Sequence, residues 1–121
     1  MHRRVVAWGP ALVWMAATFY LSNQPAVVIP FGAPDYLAHF VSYGGLGALL
    51  VWALSGADRS QIAWRLLVPA VVIASIYGAS DEFHQSFVPG RFMSMSDWIA
   101  DTLGASLGAT LACALGGRRY T

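Results

Sequence analysis

The sequence predicts an all-α integral membrane bundle of four transmembrane helices. Three observations predict it. The chain is 57% hydrophobic and 11% charged over 121 residues, more apolar surface than a soluble domain of this size can hide. Its uncharged residues gather into four long runs, each near the ~20 residues that a membrane helix needs. Six of its seven basic residues, all arginine, fall in three alternate connecting regions, the asymmetry expected of a protein threaded back and forth through a bilayer.

The first run, Val5 to Leu21, has 17 residues without a charge. It follows Met1-His2-Arg3-Arg4, which looks like the basic start of a secretion signal. No small-x-small cleavage pattern appears at Ser22-Asn23-Gln24-Pro25, so the run is expected to stay as a span over about 5–22. The segment Asn23 to Pro34, with Pro25, Pro30, Gly32 and Pro34 around an apolar Ala26 to Phe31, reads as an irregular connector. Leu37 to Ala57 places the second span at 36–56, with His39 its one ionisable residue. Leu66 to Ser80 is shorter; extended back to Ile62 past Arg65 it gives a third span at 62–80. Trp98 to Gly117 gives the fourth, at 97–116, with Asp101 its one charge. A single membrane domain over 1–121 follows.

Arg3, Arg4, Arg59, Arg65, Arg118 and Arg119 share one side of such a bundle and Arg91 lies on the other. The arginine-rich side, with both termini, is expected to be cytoplasmic. Trp8 and Trp64 would mark the inner interface, and Tyr20, Tyr36, Tyr77 and Trp98 the outer one. The fourth span has small residues every four positions, Ala100, Gly104, Gly108, Ala112 and Gly116, and the second offers Gly44, Gly45, Gly47 and Ala48. Such stripes let helices approach closely.

Five of the six acidic residues fall at the outer ends of the spans. Asp35, His39 and Tyr43, four apart, stack along one face of the second helix. Asp35 follows Pro34 at a helix start, where a carboxylate also suits the exposed N–H groups. His39 lies a turn deeper and needs a partner. Asp81 and Glu82 stand where the helix dipole disfavours anions, 16 residues after Arg65, or about 24 Å of helix. His84 and Gln85 follow at spacings that share the Asp81 face if the helix continues. Val88-Pro89-Gly90-Arg91 is a type II turn signal that folds Arg91 back. That arginine either clamps an anionic group or pairs with Asp81, Glu82 or Asp97. Asp97 lies at the start of the fourth span beside Ser94 and Ser96, and Asp101 a turn deeper among apolar neighbours, where a carboxylate marks a site.

Two histidines and five carboxylates suffice in number for a divalent metal, although no compact ligand motif is present. The cofactor is left open. Cys113 stands alone and excludes an intramolecular disulfide, and no G-x-S-x-G or phosphate-binding loop occurs. The arginines are accounted for by topology, so no nucleic-acid partner is expected.

The segments Asp35-Tyr36-Leu37-Ala38-His39-Phe40-Val41-Ser42-Tyr43 with Gly45 to Gly47, Asp81-Glu82-Phe83-His84-Gln85 with Phe87-Val88-Pro89-Gly90-Arg91, and Asp97 with Gly104 to Gly108 occur in that order. Together with Ser22-Asn23-Gln24-Pro25 they resemble the VanZ-like integral membrane proteins. The family usually has asparagine where this chain has Asp101, so a neutral amide becomes a potential charge. The resemblance implies a multi-pass protein of the bacterial cytoplasmic membrane; the family's namesake is associated with teicoplanin resistance. Three roles stay open. One is an outward-facing site that engages a cell-envelope component or lipid-linked intermediate. Another is a hydrolase or transferase on such a lipid, with Asp81 or Glu82 and His39 or His84 as acid–base partners. The third is a structural module whose polar cluster locks the bundle.

Overall fold

The computed structural model describes residues 2–24 and 35–116. The described residues form helices joined by turns. Helix α1 spans His2–Ala7 and α2 Gly9–Ser22. Pro10 in the first turn of α2 has no N–H to continue the ladder from α1, and the helix breaks at Trp8. The Leu12 N–H to the Trp8 carbonyl, 2.9 Å, keeps the two pieces one rod. Helix α3 spans Asp35–Leu54, α4 Leu67–Gln85 and α5 Met95–Gly116. Two single 3₁₀ turns, Arg59–Gln61 and Trp64–Leu66, lead into α4. The result is four helices long and apolar enough to cross a membrane: His2–Ser22, Asp35–Leu54, Trp64–Gln85 and Met95–Gly116.

The second and fourth spans start and end within two residues of the sequence expectation. The third does not. It begins at Trp64 and runs through Asp81 and Glu82 to Gln85, instead of ending at Ser80. The acidic pair does not stop the helix because both carboxylates are buried against neighbouring helices, each 2% exposed. Most of the connector expected over Asn23 to Pro34 lies outside the described residues, as do Arg118 and Arg119.

Turn chemistry fixes the ends. After α3, Gly56 and Ala57 both take positive φ (70° and 61°), and the Ala57 N–H reaches back 3.2 Å to the Trp52 carbonyl, a Schellman closure. Arg3 donates to the Ala57 carbonyl at 2.9 Å, tying α1 to this turn. Asp58 accepts from the Ser60 hydroxyl at 2.7 Å and the Ser60 N–H at 3.0 Å, which holds its carboxyl below the usual range. At the opposite, acidic end, Gly90 has φ 80° and the Arg91 N–H meets the Val88 carbonyl at 3.1 Å, as the type II turn requires.

Helices α3 and α5 run parallel and touch backbone to backbone. A Cβ at Gly104 would strike the Phe40 carbonyl, one at Gly108 the Gly44 carbonyl, and one at Gly47 the Ala105 carbonyl. Helices α2 and α4 run the other way. The seams also carry donors: Trp14 Nε1 to the Ser42 carbonyl (2.8 Å), Tyr77 Oη to the Met15 carbonyl (2.6 Å) and Trp98 Nε1 to the Ser75 carbonyl (3.0 Å). Tyr77 and Trp98, expected at an interface belt, thus spend their polar tips between helices. Gly45 does not serve the α3–α5 seam; it makes room for the Trp14 ring.

Candidate functional site

The parallel α3–α5 pair sets His39 against Asp97 and Asp101, and α4 adds Asp81 and Glu82 from the third side. His39 is the hub. Its Nδ1 is hydrogen-bonded to Asp101 Oδ1 at 2.7 Å, with Glu82 Oε1 at 3.7 Å from the same nitrogen. On the other edge of the ring, Nε2 faces Asp35 Oδ2 at 3.7 Å and Asp97 Oδ2 at 3.8 Å. Four carboxylates therefore surround one imidazole whose side chain is 10% exposed. The ring stacks along Tyr43, centroids 6.4 Å apart.

Each carboxylate is held differently. Asp101 is fully buried, and Gly78 makes room for it: a Cβ there would lie 2.9 Å from Asp101 Oδ2 and 3.3 Å from the Tyr43 ring. Asp81 accepts from the Ser22 hydroxyl at 2.5 Å, which docks the end of α2 onto α4. Glu82 Oε2 accepts the Ser94 N–H at 3.0 Å, while the Ser94 hydroxyl caps α5 by accepting the Asp97 N–H at 3.3 Å. The cap of α5 thus belongs to Ser94. In a capping box the side chain three residues after the cap returns to the cap's own N–H. Here Glu82 takes that N–H, and the Asp97 carboxylate is turned to His39.

Satisfaction of this centre is incomplete. Tyr43 Oη, Asp81 Oδ2, Glu82 Oε1 and Asp101 Oδ2 are buried without a hydrogen-bond partner among the described residues. Native interiors rarely leave such groups unpaired, and all four of these lie here.

A cavity of about 130 Å³ opens beside His39, bounded by Asp35, Tyr43, Asp81, Gln85 and Arg91 together with Thr18, Ser22 and Ser42. Arg91 forms no ion pair among the described residues; it does not pair with Asp81, Glu82 or Asp97, the alternative the sequence left open. It donates to the Gln24 carbonyl at 3.1 Å and to Gln85 Oε1 at 3.2 Å. Gln85 in turn donates to the Phe92 carbonyl at 3.1 Å, closing the turn over the cavity.

Of the ten residues singled out from sequence, Asp35, His39, Tyr43, Asp81, Gln85 and Arg91 line the cavity. Glu82, Asp97 and Asp101 stand around His39. His84 goes elsewhere: it faces α2, bonded to Asn23 Oδ1 at 2.6 Å and packed on Phe19 at 4.7 Å between centroids. Sequence reasoning missed Thr18, Ser22, Ser42 and Ser94. The four-residue spacing of Thr18 and Ser22 at the end of an apolar run was the one available signal.

No curated protein and no solved structure matches the chain. The VanZ/LLP1 family model matches residues 35–116, the stretch that carries α3 to α5 and every acidic side chain around His39. The protein is an all-helical, multi-pass membrane protein and belongs to the VanZ/LLP1 family.

Proposed function

We propose that the protein holds the polar headgroup of an envelope lipid, or of a lipid-linked intermediate, at the outer face of the bacterial cytoplasmic membrane. The observation that carries this reading is the pairing of unlike charges across one small cavity. Arg91 spends its bonds on neutral acceptors, which leaves its positive charge uncompensated by a carboxylate there. Across the cavity Asp81 keeps one buried oxygen without a partner. A headgroup with a phosphate and a nearby amine or hydroxyl satisfies both: phosphate oxygens take the guanidinium fork, and the donor goes to Asp81 and Asp35.

Size narrows the ligand. About 130 Å³ is near the volume of an engineered cavity that accepts benzene. It admits the tip of a headgroup and not a glycopeptide antibiotic. Any link to teicoplanin resistance would then act through the envelope lipid, not by sequestering the drug. The outward orientation rests on the arginine asymmetry, which puts Arg3, Arg4, Arg59 and Arg65 in the cytoplasm and the acidic end outside.

Native mass spectrometry of protein released gently from its own membrane tests the proposal. The wild type should carry a phosphate-bearing lipid adduct, and Arg91→Ala and Asp81→Asn should lose it while keeping their helical content. An adduct of equal occupancy in all three would sink the reading.

A second reading has one observation in its favour. The buried Asp101–His39 hydrogen bond orients an imidazole beside the cavity, the arrangement of an acid–base catalyst on the same lipid. It predicts that Glu82→Gln or His39→Gln leaves the adduct in place and abolishes its turnover.

A further inference from the structure

His39 poses a problem of charge. An ionised Asp101 only accepts, and in that state Nδ1 is the donor in their 2.7 Å bond. In the neutral ring, Nε2 then carries a lone pair, and it faces two more acceptors, Asp35 Oδ2 and Asp97 Oδ2. Something positive belongs between them. A proton on Nε2 would draw one carboxylate to 2.7–3.2 Å, yet the separations are 3.7 and 3.8 Å, and neither oxygen is within hydrogen-bond reach. Bonds of about 2.0–2.2 Å from a tetrahedral metal place neighbouring donor atoms roughly 3.3–3.6 Å apart. The three atoms lie within 4.8 Å of one another, and the two separations from Nε2 exceed the donor spacing around such a metal by only a few tenths of an ångström.

We infer that His39 Nε2, Asp35 and Asp97 bind a divalent transition-metal cation, with Asp101 as the positioning residue that aims the imidazole. Asp97 supplies evidence beyond the clustering of acids. Its side chain is 9% exposed, and its hydrogen-bonding neighbour is another carboxyl, that of Asp35. The backbone N–H it would otherwise reach is occupied by Glu82, so two carboxyl groups meet beside His39, an arrangement that a shared proton or a cation relieves. Asp35, at 49%, opens the site to solvent and gives an ion a way in. The Asp101–His39–metal line is the carboxylate–histidine arrangement that fixes ring tautomer and orientation at metal centres. One imidazole and two carboxylates suit zinc or manganese better than magnesium or calcium, which prefer all-oxygen shells. Three protein ligands leave a coordination position open.

The cation site shares Asp35 with the headgroup reading but does not rest on it, since that reading stands on Arg91 and Asp81. The test is zinc titration by calorimetry of chelator-stripped protein in detergent micelles, with metal content counted by mass spectrometry. Wild type should bind one zinc per chain. Asp97→Asn, isosteric and free of a buried charge, should weaken binding at least tenfold. Asp101→Asn should weaken it about 10–100-fold at unchanged stoichiometry. Arg91→Ala should bind as wild type does, whatever becomes of its lipid adduct. Zinc affinity equal in wild type and Asp97→Asn would overturn the inference. Nitrogen NMR of His39 gives a second readout that does not depend on variants: Nε2 should move on zinc addition. A ring protonated on both nitrogens at neutral pH and unmoved by zinc would overturn it as well.

Discussion

Asp101 shows how one side chain can be needed and costly together. It is fully buried, one oxygen holds His39, and the other has no partner. An unpaired buried charge destabilises by several kcal/mol, whereas the acceptor for Nδ1–H is useful. Asp101→Asn separates the two, keeping a carbonyl for His39 and removing the charge. It should unfold at the same or a higher temperature than wild type, followed by circular dichroism in micelles. Asp101→Leu, of similar size, strands the His39 donor and should cost about 1–3 kcal/mol. An Asn variant as unstable as the Leu variant would show that the charge itself holds the bundle. The face shared by Asp35, His39 and Tyr43 was legible from spacing alone, because one helix fixes it. Where His84 points was not, since that depends on how α4 is rotated against α2. Nor was the role of Ser94, whose N–H meets Glu82 only once the turn before α5 is docked.

Among the elements, the α3–α5 seam sets the distances that the chemistry needs. His39 precedes Phe40, whose carbonyl presses on Gly104, so any widening of the seam moves the imidazole off Asp97 and Asp101. The contacts grade the glycines. A methyl at Gly104 or Gly108 meets backbone that cannot rotate away, whereas a methyl at Gly44 would sit 3.4 Å from the Gly104 carbonyl, close to ordinary contact. Gly104→Ala and Gly108→Ala should each lose about 1–3 kcal/mol, read from detergent unfolding, and Gly44→Ala clearly less. Equal losses at all three positions would mean that the seam is looser than it looks. The small-residue ladder of α5 was visible in the sequence; its partner was not, because a stripe does not say which helix it meets. The third helix runs past its charge-free stretch for a related reason. Asp81 and Glu82 are covered by Ser22 of α2 and by the Ser94 turn, contacts that no window along one helix contains.

The whole molecule is built for an apolar solvent with one polar end. Its core is rich in small residues such as Ala11, Ala70, Ala74, Ala105 and Ala109 beside Tyr43, Leu46, Leu50 and Val51, while Val5, Val13, Val68, Ile76, Leu103 and Leu111 face outward, more than half exposed. That inversion follows from packing helices where lipid is as apolar as leucine, so close backbone contact takes over from hydrophobic burial. A fold of this kind has no preferred direction of its own. Orientation comes from charge, and here the described arginines at one end, Arg3, Arg4, Arg59 and Arg65, oppose the acidic end with Arg91. Labelling with a membrane-impermeant thiol reagent decides the direction. With Cys113 replaced by alanine, a Ser86→Cys variant at the acidic end should react in intact cells, and a Ser60→Cys variant in the loop after α3 should react only after the membrane is opened. Both serines are exposed, so access, not burial, controls the result. The reverse pattern would turn the His39 cluster toward the cytoplasm, and a headgroup bound between Arg91 and Asp81, as proposed, would have to come from the inner leaflet. Geometry around Arg91 would be unchanged in that case, and the metal site would draw on cytoplasmic ions, which is why direction and chemistry need separate experiments.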